Sequence, residues 1–184
     1  VENYDNAIRR RDDYFYYYLR RGVAEKEMGD LDSARSDLER SISMLPTGPA
    51  HYVLGDIEAE RGNEREAMEH YSIVANSGGE IGEAATQKLQ RLKLPGAPGE
   101  VIPRRCDADS AGNLVVSVKN TTPWVIEDVQ IEVRYTDSAG VVQSVRQSIS
   151  GRLPPDEIAS VYTGLGPYSG GSGPAEVVAA RHAE

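Results

Sequence analysis

The chain has 184 residues, 39% of them hydrophobic and 27% charged, a composition typical of a globular protein with one large or two small domains. Its formal net charge is −9, so we expect neither nucleic acid nor an anionic membrane as a partner, because both attract basic surfaces. No apolar run approaches the ~18–20 residues that cross a bilayer. The single cysteine, Cys106, excludes an internal disulfide.

The N-terminal half contains an internal repeat. Small residues recur at a constant offset of 33 positions, in the pairs Gly22 and Gly55, Gly29 and Gly62, and Ala34 and Ala67. Each unit is predicted to be a pair of helices. Gly29 and Gly62 end the first helix in the left-handed conformation, and Asp30 or Asn63 caps the second. The other small residues are expected where the two helices of a pair cross closely.

This pattern resembles the tetratricopeptide repeat family. The first unit matches the family at Tyr18, Gly22, Gly29, Asp30, Ala34, Leu38 and Pro46, and the second at Leu54, Gly55, Gly62, Asn63, Ala67 and Tyr71. The departures are the 33-residue period, Arg21 in place of a leucine, and Gly79 in place of the closing proline. The resemblance implies a helical domain at residues 1–93, with repeats at 14–46 and 47–79 and a capping helix at 80–93.

Members of this family bind peptides or proteins along the concave face lined by the first helix of each pair. The resemblance places seven residues on that groove, namely Tyr16, Leu19, Arg20, Val23, Tyr52, Val53 and Asp56. Relatives that hold a C-terminal carboxylate use lysine and asparagine on this face, whereas Leu19 and Val23 occupy two of those positions here. The expected ligand is therefore a helix or an extended segment of a peptide or protein.

An aromatic run from Tyr14 to Tyr18 keeps an alternative open, since one helix cannot bury five consecutive aromatic side chains. Two repeats also fall short of the ~3 that such stacks usually need. The run packs against a remnant or connecting helix around Tyr4 and Ile8, or it meets a second copy of the chain. The alternative function is a stand-alone scaffold or adaptor that homodimerises through this aromatic face.

Residues 94–100 are rich in proline and glycine and are predicted to be a linker. Beyond them, apolar residues alternate with polar ones, which is typical of half-buried strands. Strands are predicted at 113–119, 125–135, 141–149, 158–162 and 175–180, and the segment around Cys106 also has the pattern of a strand. Turns are predicted at 109–112 and 137–140, and a loop at 164–174. The predicted domain at 101–184 is a small antiparallel β-sandwich, which makes the fold class α+β.

The β half resembles the immunoglobulin-like FxLYD-type domains of bacteria. The matching features are a strand ending in Asn120, a strand closing in Tyr135, a turn that ends at Gly140, and Leu153 followed by two prolines. Arg134 replaces a leucine and Asp156 a glycine of the family pattern. Such domains occur mainly in exported proteins as accessory modules.

No catalytic or metal-binding motif is present. The three histidines, His51, His70 and His182, form no H-E-x-x-H motif and no pair at ligand spacing on one helix. We therefore expect no metal, no cofactor and no enzyme activity in this chain, with His51 and His70 as structural residues. An enzyme with an unfamiliar type of site remains a second alternative.

The order of the two halves resembles the C-terminal portion of exported bacterial zinc metalloproteases that contain tetratricopeptide repeats, the β-barrel assembly-enhancing class. This resemblance implies a catalytic domain outside the 184 residues and a periplasmic or cell-envelope location. The cytoplasm is the alternative location.

Overall fold

The structure, a computed structural model, describes residues 1–136, 140–166 and 175–183. Within these ranges the chain forms seven helices followed by six strands. The helices are α1 (Glu2–Arg10), α2 (Phe15–Glu27), α3 (Leu31–Met44), α4 (Gly48–Glu60), α5 (Glu64–Ala75), α6 (Gly79–Gly96) and α7 (Pro98–Val101). The strands are β1 (Arg104–Ala108), β2 (Leu114–Lys119), β3 (Ile126–Thr136), β4 (Val142–Ser148), β5 (Ile158–Tyr162) and β6 (Ala175–His182). The predicted α+β class is confirmed, and the chain divides into two compact units at 1–89 and 90–184.

The predicted glycines do end the first helix of each pair. Gly29 and Gly62 have φ angles of +82° and +79°, the left-handed conformation that glycine adopts without a steric penalty. Asp30 then caps α3, since its carboxylate accepts a hydrogen bond from the backbone N–H three residues on. Asn63 does not cap α5 in this way. Its side-chain amide instead donates to the Glu58 carboxylate at 2.7 Å.

The two helical pairs cross at equivalent glycines. A Cβ atom on Gly22 would lie 3.0 Å from Leu38 Cγ, and one on Gly55 would lie 2.8 Å from Tyr71 Cε1. Leu38 and Tyr71 are themselves 33 positions apart. The same close approach therefore occurs in both pairs, α2 with α3 and α4 with α5, and glycine is required at both crossings.

A hydrophobic core fills the space between α2, α3 and α4. Its buried members are Leu19, Ala34, Leu38, Ala50, Leu54 and Ile57. Helix α1, by contrast, has no buried residue. It is held by polar contacts, of which the shortest joins Arg21 Nη1 to Asp5 Oδ1 at 2.7 Å. Tyr4, Ala7 and Ile8 are nevertheless half-buried, so α1 is attached by partial apolar burial as well as by charge.

The predicted linker is helical on both sides of Ala97. Helix α6 extends to Gly96 and α7 begins at Pro98, so the prediction from composition does not describe this segment. Pro95 lies in the last turn of α6, where its missing N–H removes only one intrahelical bond. Leu94, just before it, is fully buried in the core of the β unit, and this burial favours continuing the helix.

The strands form two antiparallel three-stranded sheets, with the orders β1-β2-β5 and β4-β3-β6. Val116 of β2 pairs with Cys106 of β1 and with Val161 of β5, while Val133 is central in the second sheet. Buried side chains of both sheets enter one core, which includes Val116, Val118, Val129, Ile131 and Val133. The two sheets therefore form a small sandwich.

Two predicted features fall wholly or partly outside the described residues. The turn predicted at 137–140 lies outside them except for Gly140, and the loop predicted at 164–174 lies outside them after residue 166. The turn predicted at 109–112 is present between β1 and β2. There the Asp109 carboxylate accepts hydrogen bonds from the backbone N–H groups of Ala111 and Asn113, both at 2.8 Å.

Candidate partner-binding face

The helices α2, α4 and α6 share one surface. On α4, Tyr52, Asp56 and Glu60 stand one turn apart and therefore point to the same side. Glu60 Oε1 lies 2.6 Å from Lys26 Nζ of α2, and Asp56 Oδ1 lies 2.5 Å from Lys88 Nζ of α6. We call this surface the α2–α4–α6 face and define it by its side chains on the three helices. They are Tyr16, Lys26, Tyr52, Asp56, Glu60 and Lys88.

A compact polar cluster lies at the centre of this face. Asp56 Oδ1 accepts hydrogen bonds from Tyr71 Oη at 2.7 Å and from Lys88 Nζ at 2.5 Å. The Lys88 ammonium lies 4.7 Å from the centroid of the Tyr52 ring and 5.7 Å from that of Tyr71, within the range of cation–π attraction. The two tyrosine rings are 6.0 Å apart. One carboxylate and two aromatic rings thus hold the lysine in place.

The environment fixes the charge states in this cluster. Burial alone would lower the pKa of Lys88, but hydrogen bonds with Asp56 and Tyr52 raise it above its ordinary value. Burial, together with the hydrogen bond to Asp56, raises the pKa of Tyr71 as well. At neutral pH the lysine is therefore charged and the Tyr71 phenol is neutral. The cluster presents a paired charge rather than a titrating acid or base.

The α2 border of the face is aromatic. Tyr16 has 44% of its surface exposed, and its ring centroid lies 6.2 Å from that of Tyr14 and 6.3 Å from that of Phe15. Tyr14 also meets the Tyr17 ring edge-on at 5.0 Å. The aromatic rings from Tyr14 to Tyr17 thus contact one another, and Tyr16 is the most exposed residue of the run.

Four of the seven predicted groove residues do not belong to the face. Leu19 is only 7% exposed and is part of the helical core, so it offers no surface to a ligand. Val53 is half-buried and packs against the same core, and Val23 does likewise. Arg20 is turned toward α1, where its Nε lies 3.5 Å from Tyr4 Oη. These positions are corrected because neighbouring helices pack against the sides of α2 and α4 that carry them.

Tyr16, Tyr52 and Asp56 stay in the definition of the face, and Tyr71 and Lys88 both contact Asp56. The sequence offered a signal for Tyr71, which stands at the same repeat position as the core residue Leu38. The sequence offered no signal for Lys88, whose ammonium lies 2.5 Å from the Asp56 carboxylate of α4.

The structure also joins two histidines that are distant in sequence. His51 Nδ1 of α4 and His70 Nδ1 of α5 are 3.2 Å apart, so one ring donates a hydrogen bond to the other. Burial lowers the pKa of both imidazoles. Across residues 1–136, 140–166 and 175–183, no three histidine, cysteine or carboxylate side chains are grouped as a metal site requires.

Among the helices of the described ranges, none has both the length and the apolar character needed to span a membrane. Comparison with known proteins gives no assignment, because neither a protein-family model nor a curated protein matches the sequence.

Proposed function

We propose that the helical unit is a tetratricopeptide-type interaction module and that its α2–α4–α6 face binds a peptide or protein segment. The proposal rests on two ion pairs that link α4 to its neighbours. Lys26 of α2 pairs with Glu60, and Lys88 of α6 pairs with Asp56. They connect the first helices of successive pairs into one surface. The equivalent crossings at Gly22 and Gly55 support the same assignment.

The chemistry of the face favours an apolar or aromatic ligand segment. Both cations of the face are already paired with carboxylates, so the face carries no surplus charge for an acidic or basic peptide. Tyr16 and Tyr52 offer rings that are only partly buried. Tyrosine gives a large contact area at low conformational cost, and it is enriched in the side chains that dominate binding energy. The ligand is therefore a short helix or an extended segment with apolar side chains.

The test is a selection of random peptides displayed on phage against the full 184-residue chain. Synthetic copies of the selected peptides are then titrated against variants by fluorescence anisotropy. Tyr52→Ala and Tyr16→Ala are each expected to weaken binding about tenfold, the effect of removing an aromatic anchor worth about 1.4 kcal/mol.

Tyr162→Ala is the matched control, since Tyr162 is 73% exposed on β5 in the other unit. This variant should bind the peptides with unchanged affinity. Selected peptides that bind Tyr52→Ala and Tyr16→Ala as tightly as the natural chain would show that the face is not the binding surface.

We further propose that the β unit is an FxLYD-type accessory domain and that the two units together form the non-catalytic C-terminal region of a bacterial envelope metalloprotease. The order of a helical repeat and a small sandwich is compatible with this parentage, which also implies a periplasmic location. The test is the coding sequence of the intact polypeptide. It should contain an H-E-x-x-H segment and an export signal, and their absence from it would reject the parentage.

Homodimerisation through the aromatic run is the competing proposal, and the exposed ring of Tyr16 is the feature that favours it. Analytical ultracentrifugation of the full chain over a wide concentration range separates the two. A monomer at every concentration rejects the dimer, while a dimer that Tyr16→Ala dissociates would support it.

A further inference from the structure

Glu25 of α2 is a buried carboxylate without adequate partners. Only 8% of the residue is exposed, and its Oε2 atom makes no hydrogen bond. The nearest cation is Arg21, whose Nε is 3.8 Å from Glu25 Oε1. That guanidinium is already engaged, because it donates to Asp37 and to Asp5, in each case at 2.7 Å through a terminal nitrogen. Burying an unpaired carboxylate is costly, so the site favours an additional cation.

The second helical pair contains the same carboxylate with its partners in place. Glu58, 33 positions after Glu25, is 1% exposed. Its Oε1 lies 2.9 Å from Arg35 Nε, and its Oε2 accepts a hydrogen bond from Asn63 Nδ2 at 2.7 Å. The chain thus displays what such a buried glutamate needs at this place in the fold, which is a guanidinium on one oxygen and an amide on the other.

The equivalent partners of Glu25 are unsuitable. At the same offset, Asn63 corresponds to Asp30, which has no side-chain N–H to donate, and Arg35 corresponds to Glu2, which carries the wrong charge. The same offset applies to α1. Asp5 and Arg21, which form an ion pair, lie 33 positions before Leu38 and Leu54, two leucines of the helical core. Burial and the nearby Asp37 charge raise the pKa of Glu25, as expected for a carboxylate short of partners.

A depression of about 500 Å³ lies over this carboxylate. It is lined by Arg21, Glu25, Asp32, Ser33, Ser36 and Asp37. Three carboxylates therefore face one lining guanidinium, although Arg61 also pairs with Asp32. At the matching place in the second pair, the charge of Arg35 acts on Glu66 and His70 as well as on Glu58. The depression is the counterpart of the space that Arg35 occupies there.

We propose that this depression is a binding site for a guanidinium group, namely an arginine side chain of a partner polypeptide. Arginine fits better than lysine because its several N–H groups can serve Glu25 and a neighbouring aspartate together. Arg35 likewise lies near two carboxylates, since its Nε is 2.9 Å from Glu58 and 3.1 Å from Glu39. The site uses the α2–α3 side of the unit and does not depend on the α2–α4–α6 face.

The first test uses acetyl-arginine amide as the probe and acetyl-citrulline amide as its neutral isostere. Each is titrated into the full chain, and backbone ¹H–¹⁵N shifts of residues 21–37 are followed. Saturable shifts with the arginine probe and none with citrulline are expected. Glu25→Gln should raise the dissociation constant of the arginine probe about tenfold or more, because a charged hydrogen bond is lost. Equal binding of the two probes, or equal binding by Glu25→Gln, overturns the proposal.

The second test supplies the arginine from the chain itself. Glu2→Arg places a guanidinium at the position equivalent to Arg35. It should weaken binding of acetyl-arginine amide about tenfold by occupying the site, and it should raise the thermal midpoint of the helical unit by about 2 °C or more. Glu64→Arg is the matched control, since Glu64 is likewise the first residue of its helix. It should change neither quantity, and a Glu2→Arg chain that behaves like this control overturns the proposal.

Discussion

Asn120 shows how one buried polar residue holds the β unit together. It is fully buried, and its Nδ2 donates to the carbonyls of Trp124 at 2.6 Å and Leu153 at 2.9 Å. Its Oδ1 accepts from the N–H of Thr122 at 2.9 Å and from the hydroxyl of the same residue at 2.7 Å. All the hydrogen-bonding capacity of the amide is therefore used inside the protein.

Asn120→Ala is expected to lower the free energy of unfolding of the β unit by about 2–5 kcal/mol, because it leaves several buried groups unpaired. Urea denaturation followed by the fluorescence of Trp124, the only tryptophan, measures this loss. Ser144→Ala, at an exposed position of β4 in the same unit, is the control and should change stability by less than about 0.5 kcal/mol. A similarly small effect of Asn120→Ala would contradict the role assigned to this network.

The His51–His70 pair makes stability depend on pH. Burial lowers the pKa of both rings in the folded protein; around His70, the carboxylates of Glu58, Glu69 and Glu39 oppose this shift, and Arg35 adds to it. In the unfolded chain these histidines are protonated near pH 6.5, whereas in the folded chain they become protonated only at lower pH. The stability contributed by the neutral pair is therefore present above about pH 6.5 and is lost as the pH falls below it.

The double variant His51→Gln/His70→Gln should lose less stability than the natural chain between pH 7 and pH 5. The slope of unfolding free energy against pH, measured by circular dichroism in urea, reports the difference. His182→Gln, which changes a histidine on β6, serves as the control and should keep the slope of the natural chain. A double variant with the natural slope would show that the pair does not control this dependence.

At the scale of the helical pair, close crossing depends on glycine. A Cβ at Gly55 would lie 2.8 Å from the Tyr71 ring, and that ring is held by the bond from its hydroxyl to Asp56. Gly55→Ala should therefore destabilise the helical unit by about 1–3 kcal/mol in spite of alanine's higher helix propensity. Thermal unfolding monitored at 222 nm measures the change.

Gly82→Ala is the matched control within α6, because the nearest atoms to its added Cβ are 3.4 Å away, an ordinary contact. Here helix propensity decides the result, and a gain of up to about 1 kcal/mol is expected. Opposite signs for the two glycine-to-alanine changes would separate crowding from propensity. The same sign for both would contradict a close crossing at Gly55.

The sequence predicted these crossings because the small residues recur at equivalent positions in both repeats. The 33-residue offset makes Gly22 equivalent to Gly55 and Leu38 equivalent to Tyr71, so a contact found in one pair is expected in the other. The face was predicted less completely, since a repeat position shows which side of a helix a residue takes but not how far it reaches. Leu19 stands 33 positions before Tyr52, yet the shorter leucine is buried in the core while the tyrosine reaches Lys88.

Contacts between distant polar residues were beyond prediction for a different reason. Lys88 pairs with Asp56, 32 positions earlier, and His51 pairs with His70 across two helices. Amphipathic periodicity assigns a lysine to solvent because it carries no information about a carboxylate on another helix. The composition of residues 94–100 predicted a linker for a similar reason, since it carries no information about tertiary contacts. Burial of Leu94 in the β core outweighs the local preference of proline and glycine against helix.

For the whole molecule, two separate cores predict two unfolding transitions. The buried cluster of α2, α3 and α4 shares no residue with that of the β unit.

Leu38→Ala should remove about 2–5 kcal/mol from the helical unit, and Ile131→Ala a similar amount from the β unit. Circular dichroism at 222 nm follows the first unit, while fluorescence of Trp124 follows the second. Each substitution should therefore shift the midpoint of one signal and leave the other in place, because unfolding is cooperative within a core. If Leu38→Ala moved both midpoints by the same amount, the two units would have to unfold as one cooperative body.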